Sequence, residues 1–449
     1  MFKKLRENLF KIVILTFISI INANFIYNFF LSKSPTYEMF YIISFLFFGG
    51  IVFYYLPHTK FWYRAIKDFE SIFTTNVEDN SNVLGKKILI FNWRDTKHKY
   101  AGGAEVYIHE LAKRWVERGN AVTLFCGNDG YCERHEKVDG VTVIRRGGFY
   151  LVYFWAFIYY MVRFRGRYDL ILDCENGIPF FTPLYVKEKK YCVVHHIHLE
   201  VFSRYLNIPM AYLAKFLEGI AMPIFYKNIR FITVSDSTRD EMLKHGLGKA
   251  GIKIIHNGVD LQKLKPGVKS ESPLILYLGR IKPYKSIHIL IHAVDKIKSD
   301  VGNLQLIIAG SGEEEKNLQK LVSKLKLQDM IKFTGRVSEE QKIKLMQSAW
   351  VFVNPSFMEG WGITTIEANA CGTPVIASNV PGLKDSVKNP TTGYLVEYGN
   401  TTEFAEALRS VLLNNEERKR LQKGAITWAQ NFDWNKNCLL SLEILNGKI

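Results

Sequence analysis

The 449-residue sequence contains no Cys-x-x-Cys pair. Its six cysteines, Cys126, Cys132, Cys174, Cys192, Cys371 and Cys438, are scattered, which argues against a cysteine zinc site and for a reducing compartment. No Asp-x-Asp occurs, so no aspartate pair is set out to chelate magnesium on a diphosphate. Gly-x-Gly-x-x-Gly is also absent, and a dinucleotide site is not indicated. Acidic residues number 43 against 59 basic ones, a net charge of +16, which suits an anionic membrane surface, an anionic substrate or nucleic acid. No aromatic-basic nucleic-acid module accompanies that charge, so nucleic acid is not an expected partner. What is present is globular in character: 48% of residues are hydrophobic and 23% charged, over a length sufficient for two or three domains.

Residues 1–60 differ from the rest. Lys3, Lys4, Arg6 and Lys11 precede an uncharged run at 12–31, and Lys60, Arg64 and Lys67 follow a second at 39–56. Each run is about the length that crosses a bilayer core, ~20 residues. Basic residues outside the pair and a nearly neutral connection predict a membrane hairpin with both ends cytoplasmic. The expected location is therefore the cell membrane, multi-pass with two helices, with the remaining domains in the cytoplasm. A cleaved signal peptide ending near Ala23 and a shallow interfacial hairpin are the competing readings. Residues 61–86 read as a linker.

From residue 87 to 262 the pattern alternates between strand and helix. Apolar runs at 87–91, 121–126, 141–145, 168–173, 191–195, 230–234 and 252–256 read as strands. Gly102 and Gly103 lie between the first run and an amphipathic helix that begins near Glu105, the strand, glycine loop and helix of a Rossmann-like half. The stretch 149–164 is crowded with aromatic residues and is followed by Arg165 and Arg167; it reads as a core helix or as a membrane-facing surface. The apolar region 201–227 carries the same ambiguity. His195, His196 and His198 cluster at a strand end. Adjacent strand residues face opposite ways, and no cysteine or carboxylate stands at ligand spacing beside them, so a metal is not expected.

Pro266, Gly267 and Pro273 mark a linker. A second alternation of strand and helix runs from 272 to 429, predicting another parallel sheet with helices on both faces. A helical segment closes the chain from about 430 to 449.

Residues 356–378 carry the strongest chemistry. Glu359, Gly360 and Gly362 precede a helical segment, and Glu367 follows Glu359 by eight residues, about two helical turns. Small residues before a helix let backbone amides approach an anion, which the helix dipole favours. The two carboxylates can then accept from paired hydroxyls on either side. Arg280 and Lys285 lie in a loop after a strand, as a two-donor fork and a point charge suited to phosphate.

Glu-Gly-x-Gly-x-x-x-x-Glu followed by Ala-Cys-Gly-Thr-Pro-Val resembles the Glu-x7-Glu motif of retaining GT-B glycosyltransferases, of the group 1 and family 4 type. The resemblance covers most of residues 87–449. It implies an α/β fold, GT-B, with two Rossmann-like domains facing across a cleft, here with an N-terminal transmembrane helical hairpin. It implies that Gly102, Gly103 and Glu105 face the donor diphosphate and acceptor, and that His195 or His196 contacts the donor sugar, with His195 preferred. Arg280 and Lys285 would bind the diphosphate; the residue after that lysine is usually glycine and is Ser286 here. Gly310, Arg336 and Val337 belong to loops that would hold the base. Glu359 would bind the transferred sugar, Gly360 and the amides of Trp361, Gly362 and Ile363 the phosphate, and Glu367 the ribose. The C-terminal helix would cross back to the first domain.

The implied activity is metal-independent transfer of a sugar from a UDP- or GDP-linked donor, with retention and no further cofactor. The hairpin suggests a polyprenyl-phosphate-linked or glycolipid acceptor at a lipid bilayer. The rivals are a GT-B epimerase or phosphorylase, and an inactive membrane scaffold that binds nucleotide-sugar.

Overall fold

The computed structural model describes residues 67–72, 74 and 84–448. The expected hairpin at 1–60 lies outside them. Two sheets organise the described chain, the second all parallel and the first parallel except for one edge strand. The first has eight strands: β1 (Lys87–Phe91), β2 (Ala121–Cys126), β3 (His135–Val138), β4 (Val141–Arg145), β5 (Leu170–Glu175), β6 (Lys189–Val194), β7 (Arg230–Thr233) and β8 (Ile252–Ile254). Their order is β3-β4-β2-β1-β5-β6-β7-β8. The central strands are continuous apolar runs because helices cover both faces. In β1, Ile88, Leu89, Ile90 and Phe91 are all fully buried.

Strand β3 departs from the expected pattern. Its sequence His-Glu-Lys-Val lacks an apolar run, and it pairs antiparallel at the sheet edge on β4, with alternate residues exposed. The strand expected at 191–195 ends at Val194, so His195 and His196 lie beyond it and strand alternation does not govern them.

The second sheet has six strands: β9 (Leu274–Leu278), β10 (Gln305–Ala309), β11 (Ile331–Gly335), β12 (Val351–Asn354), β13 (Val375–Ser378) and β14 (Gly393–Val396). Their order is β11-β10-β9-β12-β13-β14, all parallel. The chain reverses its winding between β9 and β12. In open sheets of this kind that switch point leaves a crevice at the carboxyl ends of the strands, where ligands bind.

The aromatic stretch is chiefly core. The helix Gly148–Tyr159 continues into a wide π turn, Tyr160–Phe164. Val152, Trp155, Tyr159, Tyr160 and Phe164 pack with Phe91 and Phe125 beneath the first sheet, leaving Phe149, Tyr150, Met161 and Val162 outside. Helical residues from Ile208 to Phe225 are long and apolar enough to cross a membrane by length and composition. Ala211, Ala214, Glu218, Ala221 and Met222 face inward, and Ile208, Tyr212, Ile220 and Ile224 face solvent.

The last helix, Trp434–Asn446, joins the two halves. It follows the second sheet in sequence and packs on the first. Trp115 Nε1 donates to Ser441 Oγ at 2.8 Å, Asn437 Nδ2 donates to the His256 carbonyl at 2.8 Å, and Tyr191 Oη donates to the Ile444 carbonyl at 2.8 Å.

Candidate active site

The loops after β9 and β12 meet at the switch point. Strand β12 ends at Asn354, and the turn that follows bends back through Ser356 to Glu359. The Glu359 carboxylate accepts from Ser356 Oγ at 3.0 Å and Asn354 Nδ2 at 3.4 Å, and it pairs with the Lys285 ammonium. Burial pushes this carboxyl up, but Lys285 and the two neutral donors outweigh burial and hold it below the ordinary carboxylate range. Burial pulls the Lys285 ammonium down, and Glu359 more than restores it. The result is a fixed ion pair whose carboxylate can accept sugar hydroxyls and whose ammonium can face phosphate.

Arg280 leaves the same loop and donates to Tyr284 Oη at 3.0 Å. Its guanidinium reaches the first domain: a methyl group added at Gly102 would sit 3.6 Å from it. Gly102 caps the helix Gly103–Glu117, and the Glu105 carboxylate accepts from its amide at 2.6 Å. Arg94 in turn donates to Glu105 at 2.9 Å. Glu105 is therefore a structural cap. The open amides of this helix start and the Arg280 fork face each other across the cleft, an arrangement that favours an anion between them.

His196 lies close to both halves. A methyl group at Gly360 would lie 3.6 Å from its Nδ1 and 3.0 Å from the His195 carbonyl, so the loop closes tightly on the histidines at this glycine. Burial holds the His196 imidazole neutral; His198, Arg280 and Lys285 add to that effect and Glu359 opposes it. His195 is placed differently. Its ring meets Tyr107 edge-on at 5.0 Å, in the core of the first domain, and burial lowers its pKa to about 3. Between the two histidines, the ring near Glu359, Arg280 and Lys285 is that of His196, whereas the sequence reading leans to His195, whose ring packs on Tyr107.

Gly362 caps the helix Ile363–Ala370 at φ +75°, the left-handed conformation glycine adopts without strain. Glu367 lies on this helix and accepts from Lys342 Nζ at 2.8 Å. Burial raises its pKa, against the pull of Lys342. Trp361 is buried and stacks on His256 at 4.5 Å, so its side chain bridges the domains while its backbone lies in the loop. Gly310 follows β10, where a Cβ would sit 1.9 Å from the Gly279 carbonyl. Arg336 donates to Ser311 Oγ at 3.0 Å, and Val337 stands beside it, half-buried. The loops after β9, β10, β11 and β12 thus converge on one crevice.

Sequence reasoning missed several contributors. Asn354, Ser356 and Lys342 orient the two glutamates, yet they are ordinary polar residues with no motif of their own. Asp385 accepts from the Ser237 amide at 3.2 Å across the cleft. On the first-domain side, His198 meets Glu175 and Glu218, two carboxylates from distant parts of the chain. Burial, together with repulsion from Glu218 in the case of Glu175, raises both of these carboxyls.

Two Rossmann-like sheets with a crevice at the β9/β12 switch and a C-terminal helix returning to the first sheet define a GT-B protein. A family model for group 1 glycosyl transferases matches residues 259–428, and one for glycosyltransferase family 4 matches residues 101–263. These two matches, each to a separate segment of the chain, support a group 1 glycosyltransferase. Among relatives, it is 30% identical over 236 residues to D-inositol 3-phosphate glycosyltransferase of Streptomyces bingchenggensis, an alignment covering 48% of this chain and 52% of that protein. The chain thus spans about half the length of the curated relatives it matches first. Sucrose-phosphate synthase from Thermosynechococcus elongatus has a similar fold, with a TM-score of 0.68 at 22% identity over 81% of this chain and 99% of that one. Anabaena HepE in complex with UDP-glucose gives 0.62 at 21% identity, over 81% and 100%.

Proposed function

We propose that this protein transfers a sugar from a UDP- or GDP-linked donor to a hydroxyl group, with retention of anomeric configuration and no metal on the diphosphate. The carrying observation is the Lys285–Glu359 pair beside Arg280 and His196 at the β9/β12 crevice. Lys285, Arg280 and the amides of residues 361–363 are positioned to neutralise the departing diphosphate, work that a chelated magnesium does elsewhere. Glu359 accepts from hydroxyls of the transferred sugar, and Glu367 from those of the ribose. Neutral His196 offers a hydrogen bond to the sugar or acceptor without adding charge. No carboxylate is assigned as nucleophile; the departing phosphate takes the acceptor proton on the same face, consistent with retention. Solved neighbours of this fold include a complex with UDP-glucose, which supports a nucleotide-sugar donor.

The acceptor reading is a polyprenyl-phosphate-linked or other lipid-linked glycan at a membrane surface. Its support is the uncharged pair of runs before residue 60, the exposed Ile208, Tyr212, Ile220 and Ile224, and the net charge of +16. An epimerase, a phosphorylase or an inactive scaffold would use the same crevice differently, and product analysis separates them. The test is a panel of UDP- and GDP-sugars incubated with the full chain and a membrane lipid extract, with and without magnesium. Labelled lipid appearing with one donor, at equal rates in both conditions and in the donor's anomeric configuration, is the expected result. Product only with magnesium, or with inverted configuration, overturns the mechanism. Transfer to water-soluble acceptors alone overturns the lipid reading.

A further inference from the structure

Three side chains converge beneath the histidine loop. Glu175 ends β5, His198 lies four residues past β6, and Glu218 sits on the wide π turn Leu217–Ala221. Their donor atoms all lie within 4.8 Å of one another. His198 Nδ1 is 3.2 Å from Glu218 Oε1 and 3.6 Å from Glu175 Oε1. Glu218 Oε1 also accepts from the His198 amide at 2.7 Å, and Glu175 Oε1 accepts from the Gly177 amide. The second oxygen of each carboxylate, Oε2, is buried with no hydrogen-bond partner. Glu175 is 0% exposed and Glu218 1%. Among the described residues, His198 is the one basic group within ion-pair distance of either carboxylate. Arg94, the next cation to act on His198, is engaged by Glu105.

Buried carboxylates of this kind need a compensating charge, and each unpartnered oxygen needs a donor or a ligand. Among the described residues no donor reaches those two oxygens, and no cation other than His198 lies within ion-pair distance. The spacing suggests what supplies them. Four-coordinate zinc with bonds of about 2.0–2.2 Å separates its ligand atoms by about 3.4 Å, close to both nitrogen–oxygen distances here. A pair of carboxylates and one imidazole also match a borderline divalent cation in hardness and neutralise its charge.

We infer that Glu175, His198 and Glu218 form a binding site for a divalent cation of the zinc type, with water as the fourth ligand, apart from the diphosphate-binding residues. Binding displaces the proton held at this cluster and ties the histidine loop to the helical segment 208–225. The His196 and His198 rings lie 3.9 Å apart, so the cation fixes the loop that carries His196 to the cleft.

The untagged full chain, stripped of metal and dialysed against zinc, provides the test. Metal content by mass spectrometry is expected to be stoichiometric, and to fall to trace in His198→Ala and Glu218→Gln. Cobalt in place of zinc is expected to give the intense visible absorption of a four-coordinate site. Trace zinc in the wild-type chain, uptake unchanged in both variants, or the weak spectrum of six-coordinate cobalt overturns the site and leaves a proton-sharing carboxyl pair. Should a variant unfold, the wild-type cobalt spectrum decides alone. None of these readouts depends on sugar transfer.

Discussion

At the residue scale, the site is a set of charges held by fixed neighbours. Lys285 and Glu359 are each about one-seventh exposed, at 14% and 15% of side-chain area, so each strongly determines the other's ionisation. Replacing Glu359 by Gln keeps the shape and leaves Lys285 without its counter-charge, and kcat/KM should fall by about 10²–10³-fold, the scale of one lost preorganised contact. The same pair fixes a pH dependence. The folded Glu359 carboxyl lies below its ordinary value, so the unfolded chain binds that proton more tightly. The pair therefore contributes stability above about pH 4.3, and that contribution is lost as pH falls through the lower folded value. Urea midpoints of the wild type and Glu359→Gln should accordingly differ most near neutral pH and converge as the solution is acidified. Much of this was legible: the Glu359 and Glu367 spacing and the Arg280 and Lys285 loop all lie in one crevice. What was not legible was the choice between His195 and His196, because it turns on where β6 ends. Nor was Lys342 legible as the partner of Glu367, because the two sit on different helices.

At the scale of elements, glycines and the last helix hold the crevice together. Gly310 has φ +137°, and any side chain there meets the Gly279 carbonyl. Gly310→Ala should destabilise the second domain by about 2 kcal/mol or more, seen as a lower denaturant midpoint at unchanged slope. Trp434 starts the returning helix, is 4% exposed and packs against Gly258 and Tyr107. Trp434→Ala should cost about 3–5 kcal/mol, the range for emptying a buried aromatic site. The alternation of apolar runs and helices made most elements readable, since parallel strands buried on both faces are continuously apolar. Strand β3 escaped because an edge strand of His-Glu-Lys-Val has no such run. The π turn Leu217–Ala221, which turns Glu218 inward, also leaves no mark in hydrophobic period.

At the scale of the whole molecule, the two sheets work as opposing walls. Each domain supplies one side: the helix start at Gly103 and the loop of His196 from one, Arg280, Lys285, Glu359 and Glu367 from the other. A nucleotide that touches both walls should stabilise the chain as a unit. At a concentration of 100 times its dissociation constant it adds about 2.7 kcal/mol, visible as a single upward shift in thermal midpoint. Lys285→Ala should abolish most of that shift. A shift equal in Lys285→Ala and wild type would place the nucleotide elsewhere.

The central claim is that Glu359 and its lysine serve sugar transfer from a nucleotide donor. It is tested most directly by initial rates of donor turnover, by wild type and Glu359→Gln, without added metal. The account predicts turnover by the wild type and a loss of about 10²–10³-fold in the variant, with nucleotide binding retained. Equal rates in the two proteins, or wild-type binding with no turnover of any UDP- or GDP-sugar, would contradict it.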